Sequence, residues 1–401
     1  MNASIWTPLR LADFRKLWVG QLVSVIGDKL HQIAMGVMVY VITGSALQMG
    51  LMLAMTALPA LLFGLAAGAY VDRWDKRRTM IASDLARAVL VLGVPFAVRT
   101  SVYLAYLLAF AVATIGLFFQ PAKQTFIAEL VTQDELLPAN SLDQASTSAA
   151  ELLGLGLAGA LVALLGYQRA FWLDSATFLF SAGAIALIRF RPEPRSAEFG
   201  RANAKLTTEV LDGMRFIGGN PTLRGLVAVW TTAALGFGAA LTIAYLLALD
   251  RYDAGARGLA LLDIAITVGL LIGSLTVALP RRLNDGWKIV SAMVVFGTVL
   301  AGLALATRIG YAVPLLAITG IANMWFLVPS ITLVQRLTPD SLRGRVLAAR
   351  GTVTAVLSVA GMLLGGIMIE RIGIVLSILV AAIPVLLGAL FGVLNPAVRE
   401  A

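Results

Sequence analysis

Gly68-Ala69-Tyr70-Val71-Asp72-Arg73-Trp74-Asp75-Lys76-Arg77-Arg78 is a short, strongly basic stretch between two apolar runs, 47–70 and 79–98. Each run reaches the roughly 20 residues that a helix needs to cross a bilayer. Working outward, the same pattern recurs along the chain. Apolar runs predict helices at 14–41, 47–70, 79–98, 102–121, 142–165, 170–190, 224–249, 259–280, 288–307, 312–335, 348–369 and 374–394. The 401 residues are 59% hydrophobic and 13% charged, against about 25% charged in soluble domains. A soluble globular protein is excluded, and the expected fold is an all-α membrane protein of twelve spans.

The net charge of +9 gains its meaning from where the charge lies. With the N-terminus on the cytoplasmic side, only Arg99, Arg169, Arg251, Arg257, Arg308 and Arg371 of the 31 Lys and Arg fall in segments on the opposite side. Lys29 and Arg87 lie within predicted helices, and the rest lie in the loops and helix ends on the cytoplasmic side. That is the positive-inside bias, which places both termini in the cytoplasm and removes nucleic acid as the reason for the basic balance. The first apolar run follows Arg10, Arg15 and Lys16 but continues past Asp28 and Lys29 to Tyr40, beyond the 7–15 apolar residues typical of a signal peptide. It is read as a retained first helix. Cysteine is absent, which excludes disulfides, thiolate metal sites and cysteine catalysis.

The longest polar stretch, from Phe190 to Asn220, divides the predicted helices six to six. The expected organisation is a bundle at 1–190, a cytoplasmic linker at 191–223 and a second bundle at 224–401. The halves also repeat each other. Pro121 and Thr132-Gln133-Asp134-Glu135-Leu136 correspond to Pro329 and Thr338-Pro339-Asp340-Ser341-Leu342, and Gly64-x3-Gly68 with Arg77 corresponds to Gly269-x3-Gly273 with Arg282. A duplicated six-helix unit is the plan of transporters that hold substrate near the midplane between repeats.

The 68–78 stretch resembles the signature loop of the major facilitator superfamily, with a glycine at a helix end, an Asp-Arg pair and a basic cluster; Asp75 stands where that pattern has a second glycine. The resemblance implies a fold of two pseudo-symmetric six-helix bundles that alternate access by rocking. It also implies a cytoplasmic gate in which Gly68 allows close helix approach, Asp72 caps a helix of the other half, Arg73 and Arg78 supply basic positions, and Arg77 pairs with an acid such as Glu129. Phe118-Phe119-Gln120-Pro121-Ala122, Glu129-Leu130-Val131, Ala139-Asn140-Ser141-Leu142 and Gln335-Arg336-x-Thr338-Pro339 with Gly344-Arg345 are similar to bacterial exporters of the macrolide-efflux and enterobactin-export subgroup. Gly27-Asp28 is also similar to the lysophospholipid transporters of the superfamily.

Gly154-Leu155-Gly156-Leu157-Ala158-Gly159 matches the dinucleotide fingerprint by letter, but that fingerprint needs a preceding strand and a helix N-terminus. Here Gly154, Gly156 and Gly159 sit inside a predicted helix, where small residues serve close packing. The segment is also similar to the superfamily's antiporter motif, with Leu155 in place of a proline. Val102 to Gln120 contains no basic residue, so the helix-4 arginine of many drug–proton antiporters is missing.

Coupling is therefore sought in the first helix, where Asp28, His31 and Gln32 share one face by their i, i+3, i+4 spacing and Lys29 points elsewhere. Ionisable groups at this depth face a cavity or pair internally, so Asp28 is read either as a proton or cation site or as part of a structural network with Lys29 or His31. Glu151 is a second proton or cation candidate if the fifth helix begins early. Asp84 and Arg87 share a face of the third helix and are assigned to the gate. No nucleophile elbow, P-loop or metal-ligand cluster is present in the sequence, so neither catalysis nor any cofactor or metal is expected. The expected function is proton-coupled efflux of amphipathic drug-like or siderophore-like molecules by a monomer whose partners are substrate, protons and membrane lipid. A lipid-like substrate and a non-transporting receptor on the same fold are the alternatives.

Overall fold

The computed structural model describes residues 6–71, 74–190, 214–277 and 283–400. All the long elements among them are helices: α1 (Ala12–Thr43), α2 (Ala46–Val71), α3 (Lys76–Thr100), α4 (Val102–Leu130), α5 (Gln133–Leu165), α6 (Tyr167–Ala186), α7 (Pro221–Leu246), α8 (Gly255–Thr276), α9 (Asp285–Gly302) and α10 (Ile309–Leu337). The final run, Asp340–Leu394, is two helices, α11 (340–372) and α12 (374–394), that meet at Gly373 with φ +76. Glycine is needed there because side chains with a Cβ disfavour that region. Ten helical runs among the described residues are long and apolar enough to span a membrane, the last containing both α11 and α12, while the 20-residue α6 is not among the ten.

Two helix starts differ from the sequence expectation, and both differ in the same direction. α5 begins at Gln133 rather than 142, and α11 at Asp340 rather than 348. These are the positions of the repeated Thr-Gln-Asp-Glu-Leu and Thr-Pro-Asp-Ser-Leu motifs. At α5 the Glu135 carboxylate accepts from the Thr132 backbone N–H at 3.2 Å and its hydroxyl at 3.0 Å, so the glutamate reaches back to the residue before the helix and satisfies donors at its start. Asp75, the departure in the signature loop, has its own local reason. Its carboxylate accepts from Arg78 N at 2.7 Å and so caps α3.

The chain forms two compact units, one of residues 1–38 and 55–202, the other of residues 39–54 and 203–401. Most of the expected 191–223 linker is outside the described residues. The turn between α1 and α2, expected within the first bundle, belongs by its packing to the second unit. There the Glu370 carboxylate accepts from the Ser45 hydroxyl and from Leu47 N at 3.1 Å, and a Cβ on Gly366 would lie 2.9 Å from Leu47 Cα.

The first unit has a core of Phe14, Leu17, Met80, Phe119, Phe126 and Ile127 with neighbouring aliphatics. In the second, Trp230, Met293, Phe296, Val334 and Val385 lead the core. Helices of this second unit approach closely where α8 meets α10. A Cβ on Gly269 would stand 2.8 Å from the Ala317 carbonyl carbon, and one on Gly320 2.8 Å from Leu270 N. These two glycines face each other's backbone, which is how small residues bring membrane helices together.

Candidate functional site

The site is built by α1, α3 and α6 of the first unit. α1 lies against α6 along its glycines: a Cβ on Gly20 would be 3.0 Å from Ala184 Cβ, and one on Gly27 2.7 Å from Asp174 Oδ1 and in contact with Thr177 Oγ1. That approach brings His31, one turn beyond Gly27, to Asp174. His31 Nδ1 lies 3.2 Å from Asp174 Oδ2, and the imidazole stands edge-on to Phe171 at 5.3 Å between centroids. Asp174 is fully buried. The contact is at ion-pair distance without hydrogen-bond geometry, and neither atom has a hydrogen-bond partner elsewhere.

α3 contributes Asp84 and Arg87, one turn apart. Arg87 Nη2 donates to Asp84 Oδ1 at 2.5 Å, and the guanidinium lies over the rings of Phe178 at 4.3 Å and Phe119 at 4.8 Å. Asp84 is fully buried and Arg87 nearly so, yet Asp84 Oδ2 and Arg87 Nε have no hydrogen-bond partner. Asp28 is the accessible member of the group. Its side chain is exposed, while Arg87, Asp174, His31 and Asp84 all act on its carboxylate electrostatically.

Three carboxylates therefore share a neighbourhood with one guanidinium and one imidazole. Even with the imidazole protonated, one negative charge is uncompensated. In a membrane-spanning region an uncompensated charge is costly, and the cost is relieved when a carboxylate takes up a proton or a cation arrives. No group of three or more His, Cys, Asp or Glu among the described residues is arranged to hold a metal ion.

The other sequence-selected residues divide between this site and its surroundings. Asp28 and His31 fall in it, Gln32 is half-buried beside them on α1, and Asp84 with Arg87, assigned from sequence to the gate, joins them here. Glu151 does lie midway along α5, and Lys29 Nζ is 3.7 Å from its Oε1. Gly154 lies in the same α1–α5 contact, where a Cβ would be 3.1 Å from Lys29 Cβ; Gly159 is buried and Gly156 exposed. At the gate, Asp72 and Arg73 are outside the described residues, and Gly68 is described only as part of α2. Arg77, expected to reach Glu129 in the last turn of α4, donates instead to the carbonyls of Ile185 at 3.2 Å and Ala186 at 2.6 Å. These are carbonyls at the C-terminal end of α6, where a cation is favoured. Arg78 supplies the backbone N–H that Asp75 caps.

Asp174 escaped the sequence reading, although it is an acid inside an apolar run, the same signal that singled out Asp28. Lys123 also escaped it. Buried in α4, its Nζ lies 2.9 Å from Asp143 Oδ2.

The profile of the transmembrane secretion effector family, a branch of the major facilitator superfamily, matches residues 3–400. The multidrug efflux pump Tap of Mycolicibacterium fortuitum is 28% identical over 98% of this chain and 97% of its own length. Macrolide efflux protein A of Streptococcus pyogenes is 23% identical over 90% of each chain. A bacterial homolog of the human lysosomal transporter Spinster, in an inward-facing and occupied conformation, superposes with a TM-score of 0.76 at 13% identity, covering 98% of this chain and 97% of that one. That likeness establishes the fold, the one implied by the 68–78 loop.

Proposed function

We propose that this chain, which belongs to the transmembrane secretion effector family, exports amphipathic drug-like or siderophore-like molecules across a bacterial inner membrane in exchange for protons, with both termini in the cytoplasm. It is a multi-pass membrane transporter rather than an enzyme. The names of its relatives, a multidrug and a macrolide efflux pump, support export. The observation that carries proton exchange is the uncompensated negative charge among Asp28, Asp84, Asp174, Arg87 and His31.

The mechanism follows from accessibility. Asp28 is the one of the three carboxylates on an exposed residue, so it is where a proton enters and leaves. The buried Asp174–His31 and Asp84–Arg87 pairs fix the field it experiences. A proton on Asp28 removes the surplus charge, and an organic cation displaces that proton by compensating the same charge. Substrate and proton thus compete for one electrostatic deficit, which is the linkage an exchanger requires.

The test is reconstitution in vesicles with an imposed pH gradient and ethidium as the probe. The wild-type protein accumulates ethidium when the gradient is applied. Asp28→Asn, permanently neutral, melts at the wild-type temperature and loses accumulation. A stable Asp28→Asn protein that still concentrates ethidium would overturn the proton-carrier role.

A further inference from the structure

The second unit contains a separate, partly open cavity of about 230 Å³ between α7, α9, α10 and α11. Its walls are mainly apolar and aromatic, with Trp230 and Phe237 from α7, Met293 and Phe296 from α9 and Phe326 from α10, the Phe237 and Phe296 rings 6.4 Å apart; Asn323, Thr354 and Ser358 add neutral polar groups. These residues lie at a common depth, since Trp230, Phe296 and Arg350 follow the starts of their helices, and Phe326 precedes the end of its own, by about ten residues, roughly 15 Å of helix.

Into this setting α11 brings Arg350. No Asp or Glu is among the lining residues. Among the described residues, the one partner of Arg350 is the Trp230 ring, 4.9 Å below its guanidinium. Its Nε has no hydrogen-bond partner, and neither does Trp230 Nε1 or Thr354 Oγ1, although Trp230 is 98% buried. A guanidinium in an apolar helix that has neither a counter-ion nor a hydrogen bond among the described residues is costly, and each unpartnered buried donor adds to that cost. Arg350 Nε and Trp230 Nε1 are donors only, and the Thr354 hydroxyl also donates. What is missing is therefore an acceptor bearing negative charge. Arginine's planar fork suits a carboxylate, which accepts two parallel N–H bonds from it. The rest of the cavity calls for a compact apolar body. At 230 Å³ it exceeds the engineered cavity of about 150 Å³ that binds benzene, and it is too small for a two-chain phospholipid.

We propose that this cavity binds a small apolar monocarboxylate, with the carboxylate on Arg350 beside Thr354 and an aromatic or branched body between Trp230, Phe237, Phe296 and Phe326. The site lies wholly within the second unit and stands independently of proton exchange at Asp28. Its ligand is an anion, whereas the cluster in the first unit favours cations.

The experiment is equilibrium dialysis of the purified full-length protein in detergent, with protein-free micelles as the reference. The probes are 2-naphthoate and its neutral and cationic counterparts, 2-naphthalenemethanol and 2-naphthylmethylamine. 2-Naphthoate binds saturably and about ten- to a hundred-fold more tightly than the alcohol, the range for a hydrogen-bonded charge, and the amine does not bind. Arg350→Gln removes that preference and Arg350→Lys restores part of it. Ala292→Leu fills the cavity with Arg350 intact and abolishes binding of 2-naphthoate, which keeps the test decisive should Arg350→Gln fail to fold. Equal binding of 2-naphthoate and the alcohol to the wild type, or undiminished binding to Ala292→Leu, would overturn the proposal.

Discussion

The polar interiors of the two units differ in kind. The first holds five ionisable side chains from three helices, carboxylates in excess, with Arg87 paired to Asp84 and covered by phenylalanines. The cavity of the second is lined by one arginine and no acid. Repeated motifs relate the halves in sequence, yet the cluster of the first is short of positive charge and the cavity of the second is short of negative. The repeats share their helix-start motifs, while the chemistry of the cluster and of the cavity differs. Packing has diverged as well: Gly269 of the second repeat abuts α10, whereas a Cβ on Gly64, its counterpart in the first, would meet nothing within 4 Å.

The largest expected effect comes from breaking the charge balance of the first unit at its most buried pair. Arg87→Gln leaves Asp84 buried without its cation and lowers stability by about 3–5 kcal/mol, read as a fall in the melting temperature of the purified protein. The double variant Asp84→Asn, Arg87→Gln recovers most of that loss. If the single variant melts like the wild type, Asp84 is not held by Arg87.

The packing contrast is sharpened by two alanine substitutions. Gly269→Ala forces a methyl group onto the Ala317 carbonyl and destabilises by about 1–3 kcal/mol. Gly64→Ala meets open space and is neutral or slightly stabilising, as expected where alanine replaces glycine in a helix. Equal effects in the two melting curves would remove the difference between the repeats.

Smaller changes separate the accessible carboxylate from its surroundings. His31→Gln takes a titratable group from Asp174 and shifts the pH dependence of ethidium transport while transport itself persists, because the imidazole adjusts the field without carrying the exchanged proton. Loss of transport as complete as that in Asp28→Asn would place the proton on His31 instead. The smallest effect belongs to Lys29→Met. Its partner Glu151 is 3.7 Å away and 39% exposed at the side chain, so the substitution costs under about 1 kcal/mol by the same melting assay.

Much of the fold was legible because a bilayer permits few solutions. Apolar runs of span length and a one-sided distribution of Lys and Arg define helices, and the 68–78 loop and the repeat identify the arrangement. The site was legible in part. Asp28 and His31 stand out because charge inside an apolar run is expensive, but sequence does not show that Gly27 lets α1 approach Asp174 on a helix more than 140 positions later. Two further misplacements share one cause. The polar turns after Thr132 and Thr338 read as loop, so α5 and α11 were expected to begin eight or nine residues late. That shift makes Arg350 resemble a cation at a helix end and leaves Glu151 ambiguous, whereas both lie well inside their helices. The Asp84–Arg87 spacing announces a pair on one face; its depth, and so its association with Asp28, is a property of how α3 packs.

The most direct measurement of the central claim is proton release on adding ethidium to the purified protein in weakly buffered detergent, followed with a pH indicator. The wild-type protein and Arg350→Gln, altered in the second unit, release protons as ethidium binds, while Asp28→Asn, whose neutral side chain removes the deficit that ethidium compensates, binds ethidium more weakly and releases no protons even when saturated. Release from Asp28→Asn equal to that of the wild type would contradict the assignment of proton exchange to the first unit's carboxylate cluster.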